Sequence, residues 1–324
     1  MIMRSQRARR FCLLFGCFLL ASSVLLAGCT NAPPKTAEVP HNDPSSGSSE
    51  PVTYSTSAQD VIIRTLHGGG LQGSLSLSPQ ISIYGDGTYI LGLNRQGKLD
   101  SDGLQQLLSD LVNTYGVLNF KRQQFNDIPD QNATFLELSL NGKGIELVYG
   151  AFSNPTETEQ DHEEYQRLGA AITAINNALK GPTQPYHGSR YVLLARQIFH
   201  LDYTQTTPYW PLTDYTLSQL ALYECGAVPP DDTSSNQEAG CMKYTIPQHA
   251  VLLNNSQLQA LRTSMNKRSQ GTFIESGSAY EVTLRVLLPD ELAKKHLAML
   301  GSAQSNYKAV PLQEGAVPII TPKQ

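Results

Sequence analysis

The sequence predicts an α+β fold: antiparallel sheets built from β-hairpins, with single amphipathic helices packed on them. Three stretches carry that expectation. In "TFLELSLNGKGIELVYG" (134–150), Leu136, Leu138 and Leu140 alternate, Asn141-Gly142 turns the chain, and Ile145, Leu147 and Tyr149 alternate back. In "QISIYGDGTYILGL" (80–93), two β-rich runs flank Gly85-Asp86-Gly87, another hairpin pattern. Between and after them come two helical stripes. Leu104, Leu107, Leu108, Leu111 and Val112 share one face, as do Tyr165, Leu168, Ile172, Ile175 and Leu179. Hairpins followed by lone helices, without βαβ repeats, exclude a doubly wound parallel sheet.

Taken in order, the folded region begins near Asp60 with the strand candidate "DVIIRTL". His67-Gly68-Gly69-Gly70 reads as a glycine-rich connection to the first hairpin. Asp100 or Asp102 caps the first helix and Gly116 ends it. The second helix spans about 159–179. "KGPTQPYHGS" (180–189) is a breaker cluster, and places a boundary between an N-terminal half, 59–181, and a C-terminal half, 182–302. The second half contains the strand "RYVLLARQIF", an irregular aromatic segment, "AVLL", a short helix over 256–266, and a strand with Tyr280, Val282, Leu284, Val286 and Leu288 on one side. Both halves run strand, helix, paired strands, so two similar halves are an open alternative. Residues 303–324 lack periodicity and read as a loose tail.

The N-terminus carries most of the information on location. Arg4, Arg7, Arg9 and Arg10 precede an apolar run, and the segment closes with Leu26-Ala27-Gly28-Cys29. This is the plan of a secretory signal peptide over 1–28, and its end resembles the lipobox of bacterial lipoproteins. That resemblance implies cleavage before Cys29 and diacylglycerol on its sulfur; an uncleaved transmembrane anchor is the alternative. Acyl chains contribute about 0.8 kcal/mol per buried methylene, so two hold a protein stably on a membrane. Residues 29–58, rich in Pro, Ser and Thr, read as a disordered tether. Removing the four arginines of 1–28 from 24 basic residues leaves 20 against 28 acidic, a net charge of −8. With no basic stripe outside the leader, nucleic acid is not an expected partner. Anionic headgroups would repel the body, so the expected membrane contact is the N-terminal lipid alone.

Of the five cysteines, Cys12 and Cys17 leave with the leader and Cys29 takes lipid. The remaining pair, Cys225 and Cys241, is expected to form a disulfide in an oxidising compartment, worth about 3 kcal/mol for such a loop; two free thiols are the alternative.

No residue combination specifies chemistry. A His-Gly-Gly-Gly oxyanion hole needs a nucleophile elbow, G-x-S-x-G, and the chain has none. Ser264-Met265-Asn266-Lys267 matches S-x-x-K but lacks S-D-N and K-T-G partners. Asp100-Ser101-Asp102-Gly103 opens like a calcium loop without its closing Glu. The acidic run Glu157, Glu159, Asp161, Glu163, Glu164 reads as a solvated, dipole-matched helix start. His200 with Asp202 is either a catalytic pair or two strand-end side chains. No catalytic, cofactor or metal residue is assigned. Tyr203, Tyr209, Trp210 and Tyr215, gathered around Pro208 and Pro211, form the candidate binding surface, with the plug of a core as the alternative.

With "HGGG", "ISIYGDGTYILG", "TFLELSLNGKG", "YWPL" and "YEVTLRVLLPDE" in this order, the chain resembles a group of uncharacterised membrane-anchored lipoproteins of actinobacteria and other soil bacteria. The resemblance spans most of 60–291 and departs at His67, where the group carries an aromatic. It implies location and architecture only. The functional expectation is an extracytoplasmic, lipid-anchored, non-enzymatic binding module of the cell envelope that recognises an unidentified envelope protein or ligand. The alternatives are an envelope hydrolase with a dispersed triad and a transporter's substrate-binding lipoprotein.

Overall fold

The computed structural model describes residues 51–69, 78–128, 131–154, 157–198, 207–220, 250–300 and 307–314. The first half contributes β1 (Val61–Gly69), β2 (Ile81–Tyr84), β3 (Thr88–Leu91), β4 (Arg95–Lys98), α1 (Ser101–Ser109), β5 (Gln124–Phe125), β6 (Asn132–Leu140), β7 (Lys143–Tyr149), α2 (Glu159–Ala178) and β8 (Gln184–Pro185). Its sheet runs β5-β7-β6-β1-β2-β3-β4-β8, antiparallel except for β5 on β7. The second half contributes β9 (Tyr191–Ile198), α3 (Leu217–Leu220), β10 (Ala250–Leu252), α4 (Asn255–Ser264), β11 (Gln270–Glu275), β12 (Ser278–Val286), α5 (Pro289–Lys294), β13 (His296–Leu300) and β14 (Tyr307–Glu314). That sheet runs β11-β12-β9-β10-β14-β13, with β10 and β14 parallel. The fold is α+β, as expected, and both sheets belong to one compact unit.

Local chemistry explains the hairpins and helix ends. Asn141 and Gly142 adopt φ 51° and 68°, the paired positive values of the tight turn that matches strand twist. At the first hairpin the Asp86 carboxylate accepts from the Thr88 backbone N–H (2.9 Å) and hydroxyl (2.8 Å). Gly85 is required by close approach, because a Cβ there would stand 1.8 Å from the Ser55 carbonyl oxygen. Asp100 caps α1 by accepting from Gly103 N–H at 2.7 Å. The helix then widens into a π turn over Asp110–Thr114 and stops at Gly116, φ 66°. Thr158 and Asp161 form a capping box at the start of α2.

One face of the first sheet buries Ile63, Ile83, Leu136, Leu138 and Leu147 against α1 and α2, through Leu104, Leu107, Leu108, Leu168 and Ile175. The second sheet is covered on both faces. Leu193, Val282 and Phe273 meet α3, α4 and Tyr215, while Val192, Leu194 and Leu252 meet Leu287 and Leu297.

Four expectations need correction. His67, Gly68 and Gly69 do not form a connection: they extend β1 and pair with Thr134, Ala133 and Asn132 of β6. Residues 307–314 are not loose. They form β14, registered on β13 and on β10, because the apolar edge of β10 offers a ladder that sequence periodicity does not reveal. The acidic start of α2 is not wholly solvated. Glu164 is buried and accepts from the backbone N–H groups of Lys121 and Arg122, both at 3.2 Å, satisfying a loop that must pass under the helix. Glu157 and Asp127 hold Arg122 beside it. Finally, the halves are not a simple repeat. In the first, the leading strand of the hairpin (β6) joins the central strand β1; in the second, the trailing strand (β12) joins β9.

Candidate functional site

The outer face of the first sheet meets α5 and the residue before it, which link β12 to β13 of the second sheet. Apolar contact there is small, with Leu288 packing on Tyr84 and Ile90. Charge completes it. Arg64 of β1, buried, donates to Asp290 at 2.7 Å, and the Tyr84 hydroxyl donates to the other Asp290 oxygen at 2.9 Å. Next to it, Arg285 and Glu291 form a two-pronged pair at 2.8 and 2.7 Å, each side chain 1% exposed. The Glu291 carboxylate also accepts from Leu288 N–H at 2.9 Å and Ala298 N–H at 2.8 Å, so it caps α5 and pins β13 as well. Burial, and then the nearby Asp290 carboxylate, push the Tyr84 phenol far above its ordinary range, so it serves as a hydroxyl donor.

Beside this junction opens a cavity of about 280 Å³ lined by Arg64, Glu137, Asp290, Lys294 and His296, among others. Glu137 of β6 lies between Arg64 on β1 and Glu146 on β7 in the strand register. Burial pushes its carboxyl up to about 7; Arg64 and Lys294 oppose this, while Glu146 and Asp290 add to it. The folded state therefore holds this proton more tightly than the unfolded chain does. That contribution to stability is complete below an ordinary carboxylate value and is lost as pH rises through about 7. Glu137→Gln, which mimics the protonated form, should leave the melting temperature unchanged near pH 4 and raise it near pH 8. For a half-buried group the gain should be about 1–3 kcal/mol, or several degrees in a thermal scan. Equal shifts at both pH values would contradict this.

A second cleft, about 350 Å³, lies at the other side of the junction. Leu93 and Asn94 from the β3–β4 turn and Tyr186 from the inter-sheet segment form one wall. Tyr191 of β9, Arg262 near the end of α4 and the turn Lys267-Arg268-Ser269 form the other. The Arg262 guanidinium lies over the Tyr191 ring, 4.6 Å from its centroid. The turn is a helix C-cap in which Lys267 N–H returns to the Arg262 carbonyl at 2.6 Å and Arg268 N–H to the Met265 carbonyl at 3.0 Å. Asn266 and Lys267 both take left-handed backbone, φ 51° and 63°, where glycine is favoured. Among the described residues, no carboxylate pairs with Arg262, Lys267 or Arg268, and none lines the cleft. Arg285 also borders it but is neutralised by Glu291. Sequence reading missed these cations because three basic residues within 262–268, at a helix end and its turn, look solvated, and nothing local shows that they border a cleft with Tyr186, Tyr191 and Leu93.

The aromatic surface expected from sequence divides. Tyr209 is 79% exposed, on a stretch that adds to the β11 edge: Trp210 N–H donates to the Ile274 carbonyl (3.0 Å) and Ile274 N–H to the Pro208 carbonyl (2.9 Å). Trp210 instead packs edge-on to Phe273, ring centroids 5.3 Å apart, and donates its indole N–H to the Tyr215 carbonyl at 2.9 Å. Tyr215 is 2% exposed and belongs to the core. For these two the plug reading fits. Tyr203, Cys29, the Cys225–Cys241 pair, and His200 with Asp202 lie outside the described residues.

His67 is exposed, His162 lies edge-on to Phe152, and His296 Nδ1 stands 2.6 Å from the Lys294 carbonyl. Among the described residues, no group of His, Cys, Asp and Glu is placed to hold a metal, and no helix is long and apolar enough to cross a membrane.

Fold and site together define the molecule's class: a two-sheet α+β body with an ion-paired junction and a cationic cleft. Compared with known proteins, the chain matches no family model, no curated protein and no solved structure.

Proposed function

We propose that this chain is an extracytoplasmic, lipid-anchored binding protein whose working surface is the cationic cleft. The carrying observation is that Arg262, Lys267 and Arg268 border one cleft with no carboxylate partner among the described residues, in a protein of net charge −4. Like charges gathered without counter-charges repel each other, and an anionic ligand relieves that repulsion. The basic and apolar leader ending in Leu26-Ala27-Gly28-Cys29 supports the anchor, and the Pro/Ser/Thr-rich segment after it supplies a spacer.

The experiment is a thermal-shift comparison of the detergent-solubilised full chain with its R262Q/K267Q/R268Q variant, against panels of small anions and neutral compounds. The expected result is stabilisation of the wild type by at least one anion, about tenfold less sensitivity in the variant, and loss of the effect in about 1 M salt. Equal responses of both proteins to every compound would overturn the binding reading. Mass spectrometry of the membrane fraction tests the anchor: a Cys29 peptide recovered there without diacylglycerol would remove it.

A further inference from the structure

From the same cleft we infer the ligand's chemical class: a phosphate monoester carried on a compact sugar or polyol. This rests on the binding reading above and goes further, to what the cleft selects. Two guanidinium groups and one ammonium present planar, forked donors together with a point charge, an arrangement suited to a dianion with three terminal oxygens. A carboxylate offers two oxygens and one charge, which a single arginine already satisfies. The Arg262 guanidinium carbon lies 4.6 Å from the Tyr191 ring centroid, a contact that holds the cation at the cleft without using its hydrogen-bond donors.

The opposite wall sets the body of the ligand. Tyr186 commits its hydroxyl to the Leu287 carbonyl at 2.7 Å, which fixes the ring at the cleft wall. Leu93 and Asn94 lie beside it, while Ser269 and Thr283 add hydroxyl-bearing residues to the rest of the cleft lining. A mixed wall of this kind suits a ring with hydroxyl groups better than a flat apolar one. The volume, about 350 Å³, lies at the small end of ligand sites and accommodates one hexose-sized unit.

The left-handed Lys267 is the second pointer. Its φ of 63° is a conformation that a glycine would adopt without cost. A lysine held there places a charge at the cleft mouth at the expense of backbone strain.

The test is titration calorimetry on the detergent-solubilised full chain at low salt, with four probes: glucose 6-phosphate, inorganic phosphate, gluconate and glucose. Glucose 6-phosphate should bind with a dissociation constant of about 0.1 mM or tighter. Inorganic phosphate should bind at least about tenfold more weakly, and glucose not measurably. R262Q/K267Q/R268Q should weaken glucose 6-phosphate at least about thirtyfold. Lys267→Gly provides a variant that is safe for folding: it should weaken glucose 6-phosphate several-fold while holding or raising the melting temperature, because the strain is released.

Gluconate binding as tightly as glucose 6-phosphate would overturn the phosphate assignment while leaving an anion-binding cleft intact. The phosphate assignment falls in the same way if no probe binds although other anions stabilise the wild type and not the triple variant. Glucose 6-phosphate binding that survives the triple substitution would overturn the cleft itself.

Discussion

Glu291→Ala should lower the unfolding free energy by about 3–5 kcal/mol, the largest single effect expected in this molecule. The carboxylate accepts four hydrogen bonds, two from the Arg285 guanidinium and two from the Leu288 and Ala298 backbone N–H groups, all between 2.7 and 2.9 Å. Truncation leaves a guanidinium that is 1% exposed without its counter-charge and strips two buried amides of their acceptor. Breaking such a pair costs far more than the pair itself contributes, since the remaining partner carries the full desolvation penalty. The double variant R285M/E291L should therefore recover the part of the loss that comes from the stranded guanidinium, while the cost of the two unpaired Leu288 and Ala298 amides remains. Urea unfolding of the three proteins provides the measurement. A Glu291→Ala penalty below about 1 kcal/mol would show that Arg285 relaxes to solvent.

Asp290→Ala should cost about 2–4 kcal/mol and should also change the character of unfolding. Arg64 and Tyr84 belong to the first sheet and Asp290 to α5, which links β12 and β13 of the second, so these bonds join segments 226 and 206 residues apart. The apolar contact at this junction is limited to a few side chains around Leu288. Weakening it should uncouple the sheets. Trp210 is the only tryptophan and packs in the second sheet's core, so its fluorescence reports that sheet alone. Far-ultraviolet circular dichroism reports both. In the wild type the two transitions should coincide; in Asp290→Ala the midpoints should separate. Coincident midpoints in the variant would show that the sheets remain one cooperative unit without the carboxylate.

The elements legible in the sequence were those whose cause is local. Leu136, Leu138 and Leu140 alternate because a strand buries every second side chain, and Asn141-Gly142 reverses the chain because both tolerate positive φ. The helix stripes from Leu104 and from Tyr165 follow from the helical repeat, and Asp100 is a cap by its position before one. Local reasoning failed where a residue's partner was remote. Glu164 reads as one more solvated acid on a helix start, yet the loop at Lys121 and Arg122 buries it. Gly68 and Gly69 look like breakers, yet β6 supplies a ladder that holds them extended. Trp210 and Tyr215 have the composition of a contact surface, yet Phe273 and the neighbouring core claim them.

The candidate site was the least legible part. Tyr186, Tyr191, Arg262 and Lys267 come from an inter-sheet segment, a strand, a helix end and a turn, and none is unusual in its own setting. The sequence by itself determined the α+β class, the hairpins and helices, and the expectation of a cleaved leader with lipid on Cys29, because each depends on residues within a few positions of one another. Only the tertiary structure decided which charges are paired and which are left facing an open cleft. Coulomb and desolvation energies depend on distance and burial in space, and those are set when the two sheets dock.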